Sequence, residues 1–382
     1  MKILHFVDSF AKPSESFIKR YIQKCLGFSE VAIVAFDFID VPDDIKEKVR
    51  LYKIDNPTFS RKNISGIKRY IRELFSGKEI WYDSFHQVLS EFKPNIIHCH
   101  FGTMGVKIMH FQDKFPFKIP FVTTIYAYDI TYLPLADPNY RKNLGRLWNV
   151  GAAFFSEGPA LAKKLYAYGC PVNKCLINPL IIPVNEYPQK KTYRTINDPI
   201  KFLFIGRFVE KKGFHVFLEA LGRLTGKLEP FTLDIIGFGP MQPVYEELIA
   251  RYKLSDFVKW HGMVQHRDII PIIKNYDILA HSSLTASNGD DEGGSATIII
   301  EAQAVGLPII TTNHADIPYV MGYHDFIAEE NDVELLMSTI LKIVNCENIE
   351  YYTAMGREKV LANHDLENNN IYETNLRKIL AG

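Results

Sequence analysis

Short β-rich apolar runs alternate with helix-length gaps along the whole chain, and after a polar interruption the pattern begins again. Such alternation marks parallel α/β architecture, because two parallel strands need a long crossover and a helix is the usual one. In the first half the runs fall near 2–7 (KILHFV), 30–36, 95–99 (NIIHC), 120–125 (PFVTTI), 152–155 and 175–178. Helices are expected at about 15–26, 64–75, 80–91, 103–113 and 159–168. The second half has KFLFIG at 201–206, TLDIIG at 232–237, VKWHG at 258–262, DILAHS at 277–282 and PII at 308–310. Between the halves NEYPQKKTYRTINDP (185–199) is polar, proline-bounded and without apolar period, so it is expected to be a linker. A chain of 382 residues exceeds one ordinary core, and two domains of roughly 180 residues are expected. Phe214, Phe217, Leu218 and Leu221 recur at i, i+3, i+4 and i+7, which predicts a helix over 214–224 with that face in the core.

Lys plus Arg and Asp plus Glu both number 44, for a formal net charge of +0. No global field then favours nucleic acid or an anionic membrane, and no nucleic-acid partner is expected. The cysteines, Cys25, Cys99, Cys170, Cys175 and Cys346, are scattered, odd in number and without CxxC, which points to reduced thiols in a cytosolic protein. No signal-like segment opens the chain and no run of about 18 apolar residues lacks charge. The expected location is the cytoplasm.

Two local patterns carry chemistry. In FIGRFVEKKGF (204–214) an apolar strand ends at Gly206 and a helix begins near Gly213. Ligands of parallel α/β sheets bind at carboxyl ends of strands, so Arg207 and Lys212 stand where two cations and a helix start can converge on phosphate. In EGGSATIIIEAQAVGLPII (292–310) a glycine-rich turn opens an almost wholly apolar helix that Gly306 and Pro308 end. Glu301 has Ile298, Ala304 and Val305 on its face, and burying its charge without a partner would cost several kcal/mol. A ribose diol is one source of donors; a buried Arg or a backbone amide is the other reading. Gly293, Gly294 and Ser295 offer backbone amides suited to diphosphate or sugar oxygens.

The pair GRFVEKKG and EGG…EAQAVGLPII, with Gly237 and Gly239 of GFG between, resembles the carboxy-terminal domain of family 4 retaining glycosyltransferases, which have the GT-B fold. The resemblance implies an α/β protein of two Rossmann-like domains with parallel sheets facing across a cleft. It implies an acceptor-binding domain over 1–184, completed by a terminal helix at 366–382, and a nucleotide-sugar-binding domain over 200–365. Carried over, Arg207 and Lys212 neutralise the leaving diphosphate, Glu301 binds the ribose and Glu292 contacts the transferred sugar, making Arg207, Lys212 and Glu292 the catalytic set. Gly206, Gly237, Gly239, Gly293, Gly294, Ser295 and Thr297 complete the donor side. The two glutamates stand nine residues apart (292 and 301) where the family usually has eight, which is attributed to the Gly293-Gly294 turn.

SFAKPSESFI (9–18) resembles the first βα loop of related exopolysaccharide enzymes, with Ser14, Glu15 and Ser16 opening a helix as caps do. SEGPALAKKL (156–165) and HADIP (314–318) fit the same family, the latter as the loop that offers amides to the diphosphate, with Tyr319 at its usual closing glutamate. VTTIYAYDI (122–130) aligns with a segment that often carries an acceptor-cleft histidine, here Tyr126. Ser14, Glu15, His100, Tyr126 and Asp129 are the acceptor-side candidates, and a structural role for His100 is equally open.

No HExxH, GxSxG or GxxxxGK[ST] occurs. Asp290 and Asp291 beside Asn-Gly are expected as a solvated turn rather than a metal site; no metal and no cofactor is expected, since cations take that duty and the nucleotide-sugar is a co-substrate. RKNISGIKRYIRELF (61–75) reads as core packing or as peripheral contact with anionic lipid on the inner membrane face. The expected activity is retaining transfer from a nucleoside-diphosphate-sugar to a glycan or lipid-linked glycan in polysaccharide or lipopolysaccharide assembly. A catalytically impaired sugar-binding or scaffolding protein is the alternative. A nicotinamide-dependent dehydrogenase is remoter, because GFG is not GxGxxG.

Overall fold

A computed structural model describes residues 1–12, 15–55, 81–195, 198–228 and 230–382. The chain divides into two compact units: Met1–Ser156, Ala162–Asn178 and Asn370–Gly382 form the first, and Glu157–Leu161 with Pro179–Asn369 the second.

The first unit holds a sheet of β1 (Lys2–Phe10), β2 (Glu30–Phe38), β3 (Arg50–Lys53), β4 (Ile96–His100), β5 (Phe121–Thr124), β6 (Ala153–Ser156) and β7 (Cys175–Ile177). Its strand order is β3-β2-β1-β4-β5-β6-β7, parallel throughout. Every residue of β4, β5 and β6 is buried, as expected of central parallel strands covered on both faces. The order reverses direction between β1 and β4, so the loops after Phe10 and His100 flank the switch point. β3 escaped the sequence reading because an edge strand reading RLYK has no apolar run to show. Helix Pro138–Val150 was also unexpected. It buries only Tyr140, Leu144, Leu147 and Trp148 in an otherwise polar stretch, and Asp137 caps it by accepting from the Asn139 and Tyr140 amides.

The second unit repeats the plan with β8 (Ile200–Ile205), β9 (Phe231–Ile236), β10 (Val258–Gly262), β11 (Ile278–His281), β12 (Ile309–Thr312) and β13 (Ile327–Ala328). The order β10-β9-β8-β11-β12-β13 places its switch point between β8 and β11. Helix Phe214–Arg223 buries Phe214, Phe217, Leu218 and Leu221 as its spacing predicts, and the Phe214 ring stacks on Phe204 at 3.8 Å.

The polar stretch expected as a linker packs against the second unit. The Lys190 amide donates to the Val305 carbonyl at 2.7 Å and the Tyr193 hydroxyl to the Gly306 carbonyl at 3.1 Å. Its polarity serves backbone acceptors, which composition cannot distinguish from exposure. The last helix, Ile371–Ala381, belongs to the first unit, where Tyr372 and Leu376 are buried and the Tyr372 hydroxyl lies 2.5 Å from His98 Nδ1. No described helix is long and apolar enough to cross a membrane, and all five cysteines are free.

Tyr372→Ala would remove the anchor of the last helix and orphan His98. We expect a loss of about 3–5 kcal/mol, read as a lower urea midpoint for the first unit; an unchanged midpoint would show that the helix is only loosely docked.

Candidate functional site

At the switch point of the second unit, the loop after β8 carries Arg207 and Lys212 and the loop after β11 carries Glu292. The Lys212 ammonium lies 2.7 Å from Glu292 Oε1, with the two side chains 14% and 10% exposed. Ser283 Oγ donates to the same oxygen at 2.9 Å. Burial alone would raise the Glu292 carboxyl, but Lys212, Lys211 and their neighbours hold it well below the usual carboxylate range. Arg207 is exposed. A flexible side chain there can swing to an anion without first breaking a buried pair.

Lys211, which the sequence reading passed over, is the more buried lysine. Its ammonium donates to Asp290 Oδ1 at 3.0 Å and to the Asp291 carbonyl at 2.8 Å. The solvated-turn reading of Asp290-Asp291 is therefore corrected: Asp291 is buried and its Oδ1 accepts the Gly293 amide at 2.6 Å. Acid-rich turns look soluble in sequence because the lysine that holds this one lies 79 residues away.

The amides expected to await the donor are engaged as well. Gly294 N–H donates to the Glu292 carbonyl at 2.7 Å, and the Glu157 carboxyl packs on Gly294, where a Cβ would lie 1.8 Å from its Oε2. Thr297 opens the helix Thr297–Val305. Gly206 and Gly237 meet backbone to backbone: a Cβ on Gly237, whose φ is 139°, would lie 1.8 Å from the Gly206 carbonyl oxygen. Phe208 N–H donates to the Phe238 carbonyl at 2.8 Å. GFG, with Gly239 at its end, thus braces the Arg207 loop by main-chain contact.

Glu301 is 2% exposed. Two side chains from distant segments reach it: Tyr187 OH donates at 2.9 Å and His266 Nε2 lies at 2.7 Å, both to Oε1. Tyr187 sits in the stretch expected as linker, and His266, half-buried at the start of helix His266–Ile273, had no local signal. His314 of HADIP is held through Nδ1 by Glu330 Oε2 at 2.5 Å, and its Nε2 accepts the Glu292 amide at 3.2 Å. This fixes the tautomer and links the Glu292 loop to Glu330.

In the first unit the acceptor-side candidates separate. Ser14 lies outside the described residues. Glu15 occupies the cap position of helix Ser16–Leu26 but makes no capping bond; the expected cap is corrected, because Lys12 draws its carboxylate away at 3.4 Å. His100, Tyr126 and Asp129 are all buried. The Tyr126 hydroxyl lies 3.1 Å from His100 Nδ1, and His100 Nε2 lies 2.9 Å from His5 Nδ1. The Tyr126 ring packs on Phe17 and Phe101, each at 4.6 Å, so its phenol serves an internal network. His5, His98 and His100 cluster tightly enough to suggest a metal. Their ring nitrogens, however, already meet Cys25, Tyr372, Thr124, Tyr126 and one another. Burial pushes Asp129 up to about 7, while its Oδ2 accepts the Tyr126 amide at 3.0 Å.

Residues 187–359 match the family described as glycosyl transferases group 1. The chain is 25% identical over 278 residues, 72% of its length and 68% of the other, to the putative colanic acid biosynthesis glycosyltransferase WcaL of Salmonella typhimurium. To the amylovoran biosynthesis glycosyltransferase AmsK of Erwinia amylovora it is 28% identical over 254 residues, 66% of this chain and 62% of that one. The fold is shared with Anabaena HepE, solved in complex with UDP and glucose, at a TM-score of 0.75, 15% identity and 100% coverage of both chains.

Lys212→Met leaves Glu292 charged, buried and without its cation, and should cost about 3–5 kcal/mol in urea unfolding. Adding Glu292→Gln should return most of that loss. A single variant as stable as the parent would mean that the pair carries no stability.

Proposed function

We propose that the chain acts as a glycosyltransferase with the GT-B fold, transferring a sugar from a nucleoside diphosphate to a hydroxyl of a glycan or lipid-linked glycan, with retention, in surface-polysaccharide assembly. The observation that carries the donor assignment is the pairing of Lys212 with Glu292 at the β8/β11 switch point, with Arg207 in the same loop as Lys212. The named activities of WcaL and AmsK support a polysaccharide acceptor, and the UDP held by HepE supports a nucleoside-diphosphate donor.

In the proposed reaction the bond from the anomeric carbon to the diphosphate oxygen breaks and an acceptor oxygen attacks the same face. The acceptor proton passes to the departing phosphate. Negative charge grows on the diphosphate and positive charge on the ring. Lys212, held by Glu292, stabilises the former from a fixed position, and Arg207 swings in from the surface to add a second cation. Glu292, spread between Lys212 and Ser283, is a poor nucleophile and a good acceptor for a sugar hydroxyl. This disfavours a covalent glycosyl intermediate on that residue. Glu301 takes the ribose, exchanging the Tyr187 or His266 bond for a diol hydroxyl. Metal is not required, because the two cations do the same electrostatic work. Contact of the 61–75 stretch with lipid belongs to the same proposal and concerns residues outside those described.

Lys212→Ala and Arg207→Ala should each lower kcat by roughly 10²–10³-fold with donor KM changed only a few-fold, since the neutralised charge develops in the transition state. The measurement is release of nucleoside diphosphate from a panel of nucleotide-sugars, with the product anomer read by NMR. Full turnover in Lys212→Ala would remove the donor assignment, and an inverted product would remove the same-face mechanism.

A further inference from the structure

Phe101 joins β4 to the helix Gly102–Lys114 with a φ of 75° and a ψ of 145°. Glycine alone adopts that region at little cost, because a Cβ there crowds the backbone carbonyls. A glycine does follow, one position on, but for another reason: a Cβ on Gly102 would lie 2.1 Å from the Tyr140 hydroxyl oxygen. Position 101 thus keeps a phenylalanine in a glycine's conformation. Its ring is not there to fill the core, since the residue is only half-buried. Helix Ser16–Leu26 shows a related inversion, burying Arg20 and Lys24 while Phe17 stays half-buried.

The two rings meet over a third. β1, β4 and β5 are neighbours in the first sheet, and the segments after their carboxyl ends deliver Phe17, Phe101 and Tyr126 in turn. Phe17 and Phe101 each lie 4.6 Å from the Tyr126 ring and 6.4 Å from one another. Tyr126 is buried and pinned at both ends: its hydroxyl lies 3.1 Å from His100 Nδ1, and its amide donates to Asp129 Oδ2 at 3.0 Å. The result is a rigid aromatic floor at the switch point, where sheets of this kind take their ligands. The loop leading to Phe17 adds charge of both signs, with Lys12 3.4 Å from Glu15 and 3.6 Å from Asp8, all open to solvent.

An aromatic floor beside a rim of mixed charge suits one chemistry best. A pyranose has a C–H face that packs on a ring and an edge of hydroxyls that both donate and accept. An anion would meet the carboxylates of Asp8 and Glu15, and an acyl chain would strip water from the ion pairs without replacing it. We propose that Phe17 and Phe101, floored by Tyr126, form a subsite that stacks a sugar ring of the acceptor, and that the strained backbone at Phe101 serves to present its ring to that sugar. The inference rests on the acceptor reading of the first unit and adds two residues that the sequence reading passed over.

The test is proton NMR of methyl α- and β-glycosides of glucose, galactose, mannose and N-acetylglucosamine at millimolar concentration, titrated with the full chain in the presence of UDP or GDP. Stacking on an aromatic ring moves the sugar's C–H protons upfield, a signature that rings serving only to pack the fold would not produce. For the glycoside that binds, Phe101→Gly and Phe17→Leu should each raise Kd about tenfold and remove the upfield shift, while Phe17→Tyr keeps both. Phe101→Gly should unfold at a urea midpoint close to the parent's, because released strain offsets the lost contact; should that variant fail to fold, Phe17→Leu carries the test. A glycoside held as tightly by the variants as by the parent, or a marked fall in the Phe101→Gly midpoint, overturns this inference and leaves the acceptor reading standing. Nucleotide binding with no glycoside binding overturns both and leaves the donor site. Binding to phosphatidylglycerol vesicles that Phe101→Gly abolishes, with no glycoside shift, overturns the inference in favour of a lipid surface.

Discussion

The contact between Lys212 and Glu292 is the constraint on which the second unit's site turns. A carboxylate 10% exposed stays ionised only because an ammonium, a second lysine nearby and a serine hydroxyl offset its desolvation. Two loops of one sheet end deliver these groups: Lys211 and Lys212 after β8, Ser283 and Glu292 after β11. A parallel sheet brings these loops together at its switch point and nowhere else. The pair therefore ties the site's electrostatics to the topology.

Around that pair the chain supplies its own anions. Asp291 accepts the Gly293 amide and Asp290 the ammonium of Lys211. A turn built to bind negative charge would otherwise carry unpaired buried donors, which are costly. The arrangement stays ordered without a ligand while Arg207 remains exposed. His314 extends the order outward by joining the Glu292 backbone to Glu330.

The first unit uses its polar residues differently. Tyr126, His100, His5 and Cys25 run inward as one chain of contacts, and Tyr372 of the last helix closes a parallel one through His98. Burial drives all three imidazoles below their ordinary value, so they act as neutral donors and acceptors that fix how β1 and β4 present their ends.

By itself the amino-acid sequence determined the alternation of strands and helices, the restart near residue 200, the buried face of helix Phe214–Arg223 and the pairing of a cationic loop with a glycine-rich one. These depend on residues near one another in the chain, whose spacing reports which side is apolar. Central strands were legible for the same reason, while the edge strand RLYK and the polar helix Pro138–Val150 were not. Tertiary structure alone decided which lysine is buried, that Tyr187 and His266 meet Glu301, that the supposed linker packs on the second unit and that Tyr126 points inward. Each is a hydrogen bond or ion pair between distant segments, and a polar side chain carries in its local sequence no sign of the partner that will pay for its burial.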